Sequence, residues 1–151
     1  NCCVAWHRNR GAVRDLNGLF KEGRVGKSYW AIVEGIPVQQ EGRIDMALAR
    51  KSPERGWWMK PDPAGLPSQT DYRVLGSHHG LAWLELSPLT GRTHQLRVHM
   101  AAIGHAMVGD GLYADAAVRA LAPRLLLHAS HLAFSHPATG QRLALESTAC
   151  F

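Results

Sequence analysis

A chain of 151 residues with 46% apolar content has enough material for one compact domain with its own core and little more. Lysine and arginine outnumber the acids 17 to 12, for a net charge of +5 and an isoelectric point near 9.5, a balance that suits a polyanionic partner without demanding one. No signal peptide is evident, no apolar run approaches the roughly 18 residues of a membrane span, and Cys2, Cys3 and Cys150 form neither a CxxC pair nor an even framework, which leaves a reduced, cytoplasmic setting as the expectation.

Val13, Leu16 and Phe20 recur at helical spacing, and Gly23 stands where such a helix stops, so a short helix is expected near the amino end. KSYWAIVE, from Lys27 to Glu34, has the aromatic and β-branched content of a strand closed by Gly35 and Pro37, with Tyr29, Ala31 and Val33 on one face. Arg43 to Arg50 reads as a short strand or turn. The proline-rich SPERGWWMKPDPAGLPSQ has no periodicity and reads as a loop, where Trp57 and Trp58 suit either base stacking or a local hydrophobic anchor. Thr70 to Leu75 and Leu81 to Leu86 are expected strands, joined by GSHHG into an antiparallel hairpin. Thr90 or Thr93 is placed to cap a helix that ends at Gly104, with Leu96, Met100 and Ile103 as its buried stripe. Thr93, Arg97 and Ala101 lie on the neighbouring face, so Arg97 leaves the core edge where a partly buried guanidinium reaches a carboxylate or phosphate. The apolar run from Leu125 to Phe134, the turn HPATGQ and a last strand from Arg142 to Glu146 complete the chain. The mixed order, without internal repeats, predicts an α+β fold with an antiparallel-rich sheet and flanking helices.

Several chemistries are excluded by what is missing. There is no GxSxG nucleophile elbow, no GxGxxG and no GxxxxGK[ST]. His94, His99, His105, His128, His131 and His136 crowd the last third, but their spacings match no zinc motif and no carboxylates cluster with them. Taken singly, Tyr29 reads as a core aromatic and Arg97 as an ordinary ion-pair partner.

Taken together the motifs say more. VGKSYWAIVEG (Val25 to Gly35), GRID at Gly42, TDYRVL at Thr70, SPLTGRTHQLRVHMAAIGHAMVGDGLYAD and PRLLLHASHLAFSHPATG occur in unbroken order over about residues 19 to 146. In this series the chain resembles the RluA/RsuA superfamily of RNA pseudouridine synthases, with the stretch after Tyr113 closest to the RluA branch. The resemblance implies a cofactor-free isomerase that flips a uridine out of structured RNA, ribosomal large-subunit RNA or tRNA, detaches the base and rejoins it to the ribose through carbon. It implies no DNA or membrane partner, and a monomer when full length. By the same resemblance Tyr29 would stack on the flipped uracil and Arg97 would pair with the catalytic aspartate. Arg92 and His94 would serve structure or RNA phosphates, and Leu96 and Leu127 would form the apolar wall.

One departure outweighs the agreement. The nucleophilic aspartate of these enzymes lies in an HRLD-type motif roughly thirty residues before the tyrosine, and counting back from Tyr29 runs past Asn1. His7-Arg8-Asn9-Arg10 stands too close to Tyr29 and carries no aspartate, and Asp15, Asp45, Asp71 and Asp110 belong to other elements. Smaller departures are Ala106, where a proline usually follows GH, and the ending ESTACF. Residues 1–151 are therefore read as the carboxy-terminal portion of a single catalytic domain, inactive alone, and otherwise as a catalytically dead RNA-binding remnant.

Overall fold

Alternation sets the centre of the molecule. In GKSYWAIVE every second residue from Tyr29 turns to one side, and Ala31 and Val33 are fully buried there, so this segment forms β1 (Gly26–Glu34). The computed structural model describes residues 10–51 and 58–149. Cys2, Cys3, Cys150, Trp57 and the segment from His7 to Asn9 lie outside them.

The chain runs α1 (Arg10–Lys21), β1, β2 (Glu41–Asp45), β3 (Leu48–Arg50), β4 (Met59–Pro61), β5 (Gln69–His78), β6 (Leu81–Pro88), α2 (Gln95–Ala102), α3 (Ala116–Ala120), β7 (Leu127–Ser135) and β8 (Arg142–Glu146). Six strands form one sheet in the order β2-β5-β6-β1-β7-β8, every pairing antiparallel, while β3 and β4 pair as a separate ribbon. This is the α+β, antiparallel-rich architecture expected from the sequence. No helix among the described residues is long and apolar enough to cross a membrane.

One sheet face carries the core. Ala31, Val33, Ile44, Ala82, Leu84 and Leu86 pack against Leu96 and Met100 of α2 and against Met107. A second cluster joins Leu19 of α1 to Val25 and Leu132, and a third joins the β3–β4 ribbon to Val98. The other face is wetter. There Arg43 pairs with Asp71, Arg73 pairs with Glu85, and the Trp30 and Trp83 rings meet edge to face at 5.4 Å.

Several expectations shift in detail. The hairpin turn is only His79-Gly80, both left-handed, because Gly76 to His78 continue β5; that turn matches the twist of the strands. Within the expected proline-rich loop, Met59–Pro61 pairs with Leu48–Arg50; Pro61 is tolerated because the ribbon is all edge. Helix α3 was not foreseen. It spans five residues, too few for periodicity to register, and is fixed by the Asp115 side chain accepting from the Val118 amide.

Where β1 pairs with β7 the register slips: Ser28 faces His131 but Tyr29 faces Ala129, leaving Ser130 as an extra residue. The Ser130 carbonyl accepts instead from the Ser147 amide at 2.9 Å.

Beneath α2 lies a buried polar chain. His99 is fully buried; its Nε2 donates to the Met46 carbonyl at 3.0 Å, so its Nδ1 accepts from the Thr70 hydroxyl, also at 3.0 Å. Burial depresses the His99 pKa against the opposing pull of the Met46 carbonyl and Asp45. The unfolded chain then takes up the proton more readily, so His99 supports folding above its unfolded pKa of about 6.5 and ceases to as pH falls below it. The urea midpoint should be lower at pH 5 than at pH 7, and His99→Gln should shrink the difference. A midpoint flat between those pH values would contradict this account.

Candidate active site

The segment GRTHQLR is shaped by one buried glutamine. Gln95 donates through Nε2 to the Gln69 carbonyl at 2.9 Å and to the Thr70 hydroxyl at 3.0 Å. Its Oε1 accepts from the Thr90 hydroxyl at 2.7 Å and the Arg92 amide at 3.0 Å. All its hydrogen-bonding positions are thus filled, which makes a 3% exposed amide tolerable and pins the loop to β5. This replaces the expected threonine cap. The Thr90 hydroxyl is committed to Gln95 and the Gln69 amide, and the residue before α2 is His94, at φ 52° with no side-chain cap. The helix stop falls where expected: Gly104, at φ 85°, and His105 donate to the Ala101 and Met100 carbonyls, a Schellman close.

The pinned loop aims several side chains at the end of β1. Tyr29, Arg92, His94, Leu96, Arg97 and Leu127 all line one cleft of about 230 Å³, although they come from three separated parts of the chain. Leu96 is 8% exposed and belongs to the core as well as the cleft wall. The Arg92 guanidinium reaches back to the Pro67 carbonyl at 3.3 Å, a loop-anchoring contact.

Arg97 holds a carboxylate, but not a missing one. Its Nε and Nη2 donate to the two oxygens of Asp110 at 2.8 and 2.6 Å, and Asp110 accepts further from the Leu112 and Tyr113 amides at 2.8 and 3.1 Å. Side-chain exposures are 16% for Arg97 and 1% for Asp110. Burial pushes the Asp110 carboxyl up, yet the Arg97 fork and the two amides together outweigh it and hold the pKa below the ordinary value. Asp110 is therefore ionised, fully buried and held by four hydrogen bonds, and it does not line the cleft. Nothing local in the sequence signals this partnership, which spans 13 positions.

Tyr113 closes the group. Its ring lies 5.0 Å from the Arg97 Cζ; its hydroxyl accepts from the Met59 amide at 3.1 Å and shares a hydrogen bond with His94 Nδ1 at 2.9 Å. Burial and then the Arg97 charge lower the His94 pKa, so the ring is a neutral imidazole at neutral pH. Lys27 also lines the cleft, 5.8 Å above the Phe20 ring, with its pKa lowered by burial. Lys27, Gln95, Asp110 and Tyr113 escaped the sequence reading. Lys27 stood in plain view in the KSY motif, whereas the other three signal only through tertiary partners.

None of the six aspartates of the chain lines the cleft. Asp71 is bound to Arg43, Asp45 accepts from Gln69 and Asp115 caps α3. No group of three potential metal ligands occurs among the described residues. A larger depression, about 620 Å³, lies over Arg43, Asp71, Arg73 and Glu85, whose charges already satisfy one another.

The family model of RNA pseudouridylate synthases matches residues 3–102. The chain belongs to this pseudouridine synthase family. Among its relatives is the dual-specificity RNA pseudouridine synthase RluA of Escherichia coli K12, 42% identical over 143 residues, which are 94% of this chain and 65% of that protein. An uncharacterised RNA pseudouridine synthase of Zymomonas mobilis is 39% identical over 132 residues, 86% of this chain and 60% of its own. Among solved structures, human RNA pseudouridylate synthase domain containing 1 superposes with a TM-score of 0.79 at 35% identity, over 93% of this chain and 61% of that one. The chain thus spans between 60% and 65% of the length of these three proteins.

Proposed function

We propose that this chain forms the base-binding part of an RNA pseudouridine synthase, acting on uridine in structured ribosomal or transfer RNA and needing no cofactor. The observation that carries the reading is the meeting of Tyr29 and Arg97 in one cleft, inside a chain of this family. Tyr29 offers a ring face against which a flipped uracil can stack, at the end of a rigid central strand, beside the base carbon that must lose a proton after rejoining the ribose. Leu96 and Leu127 supply an apolar wall that excludes water. Arg97 supplies two further N–H groups for an ionised carboxylate, and Arg92, His94 and Lys27 set a polar, partly cationic rim suited to RNA phosphates. A relative with dual specificity for RNA is in keeping with two classes of RNA substrate. A cytoplasmic, monomeric enzyme fits those substrates.

The nucleophile must come from elsewhere, since no aspartate faces the cleft. Glycosidic-bond cleavage by covalent catalysis cannot proceed without it. Incubated with unmodified ribosomal and transfer RNA, the 151-residue chain should form no pseudouridine by carbodiimide mapping. A fusion placing an HRLD-bearing segment before residue 1 should restore product. Product from the chain alone would overturn the division of labour, and an inactive but RNA-binding fusion would favour the second reading, a remnant that binds RNA without modifying it, which a cleft with no carboxylate among its described lining residues also accommodates.

A further inference from the structure

A guanidinium presents its five N–H groups in one plane, with two parallel forks: the side-on pair from Nε and Nη2, and the end-on pair from Nη1 and Nη2. Asp110 takes the side-on fork of Arg97 at 2.8 and 2.6 Å. It cannot readily let go, because it is fully buried and its Oδ1 is also fixed by the Leu112 and Tyr113 amides. The Tyr113 ring lies against the guanidinium with 5.0 Å from Cζ to centroid, so rotation out of that plane is hindered as well. Among the described residues no other acceptor binds Arg97, and its remaining N–H groups belong to a side chain that lines the cleft.

We propose that Asp110 is a positioning residue: by occupying the side-on fork of Arg97, it leaves the end-on fork as the one offered to a carboxylate entering the cleft. The proposal rests on the reading above, in which such a carboxylate is the nucleophile. One arginine then stands between two carboxylates, the inner one structural and permanent, the outer one reactive. A bidentate fork fixes the direction of the outer carboxylate as well as its distance, which a lysine at position 97 could not do.

The test separates this from the functional reading. In the ¹⁵N-labelled chain, sodium acetate serves as a bare carboxylate probe. Acetate should move the Arg97 Nη signals and leave Nε unmoved, whereas in Asp110→Asn the Nε signal should move too. Movement of Nε in the unaltered chain, or no response at Nη, would overturn the proposal, and the unaltered chain alone decides this if Asp110→Asn fails to fold. In the aspartate-bearing fusion, Asp110→Asn should lower kcat about a hundredfold through misorientation while KM for RNA changes little. An unchanged kcat in an active fusion would also sink it. A fusion that makes no product at all counts against the functional reading, and the acetate titration still judges the role of Asp110.

Discussion

Replacing Arg97 with alanine is expected to lower the unfolding free energy by about 3–5 kcal/mol, because it strands a buried carboxylate. Asp110 is only 1% exposed at its side chain, and two backbone amides cannot replace a charged fork. The pH dependence should change sign. With Arg97 present, the Asp110 pKa is depressed, so its contribution stands above the unfolded carboxylate pKa and is lost as pH falls through the lower folded value. Without Arg97, burial, the largest influence on this group, should raise that pKa above the unfolded value. The variant would then gain on the parent as pH falls from 7 towards 4. Urea unfolding across that range measures both, and Arg97→Met with Asp110→Asn should recover much of the loss by removing both charges. A deficit below about 1 kcal/mol at pH 7 would mean that Asp110 is far better solvated than its geometry implies.

Gly109→Ala should be nearly as damaging, at about 2–5 kcal/mol, from the sum of a left-handed backbone penalty and an overpacked contact. Gly109 has φ 74°, and a Cβ there would run directly into the Arg124 carbonyl oxygen, with the carbonyl carbon at 2.5 Å. Backbone is the obstacle, so no side chain can swing aside. The strand beyond also holds Leu127 in the cleft wall, and the Leu126 amide is bonded to the Val108 carbonyl at 2.9 Å. Gly111→Ala, two residues on, is the control: its nearest neighbour would be Arg119 Nε at 3.8 Å, and the change should stay within about 0.5 kcal/mol. Thermal melts of the two variants compare them directly, and equal losses would refute the steric argument.

The parts of the molecule that could be read in the sequence are those whose signals are local. Alternation in KSYWAIVE, the hairpin ends and the glycine stop at Gly104 each depend on neighbours within a few positions. Tyr29 and Arg97 were reachable because their motifs resemble a known family, and the fold then brings them to one cleft. What stayed hidden depends on distant partners. Gln95 looks like any helical glutamine until Gln69 and Thr70, about 25 residues away, fill its hydrogen bonds. Asp110 looks like a turn residue until Arg97 meets it across 13 positions. The threonine cap failed for a related reason: a hydroxyl suited to capping was claimed by Gln95 instead.

The extra residue at Ser130 changes how β7 has to be counted. Before it, Leu127 and Ala129 turn to the core face, and after it Leu132 and Phe134 do, so the apolar pattern changes from odd to even numbers in mid-strand. One strand can therefore furnish the cleft wall at one end and the floor beneath α1 at the other. The strand should then be more sensitive to length than to composition. Substituting Ser130 alters one side chain, whereas deleting it forces a choice between turning Leu132 and Phe134 to solvent and withdrawing Leu127 from the cleft. Point mutants would leave this dependence unseen; a single-codon deletion would expose it.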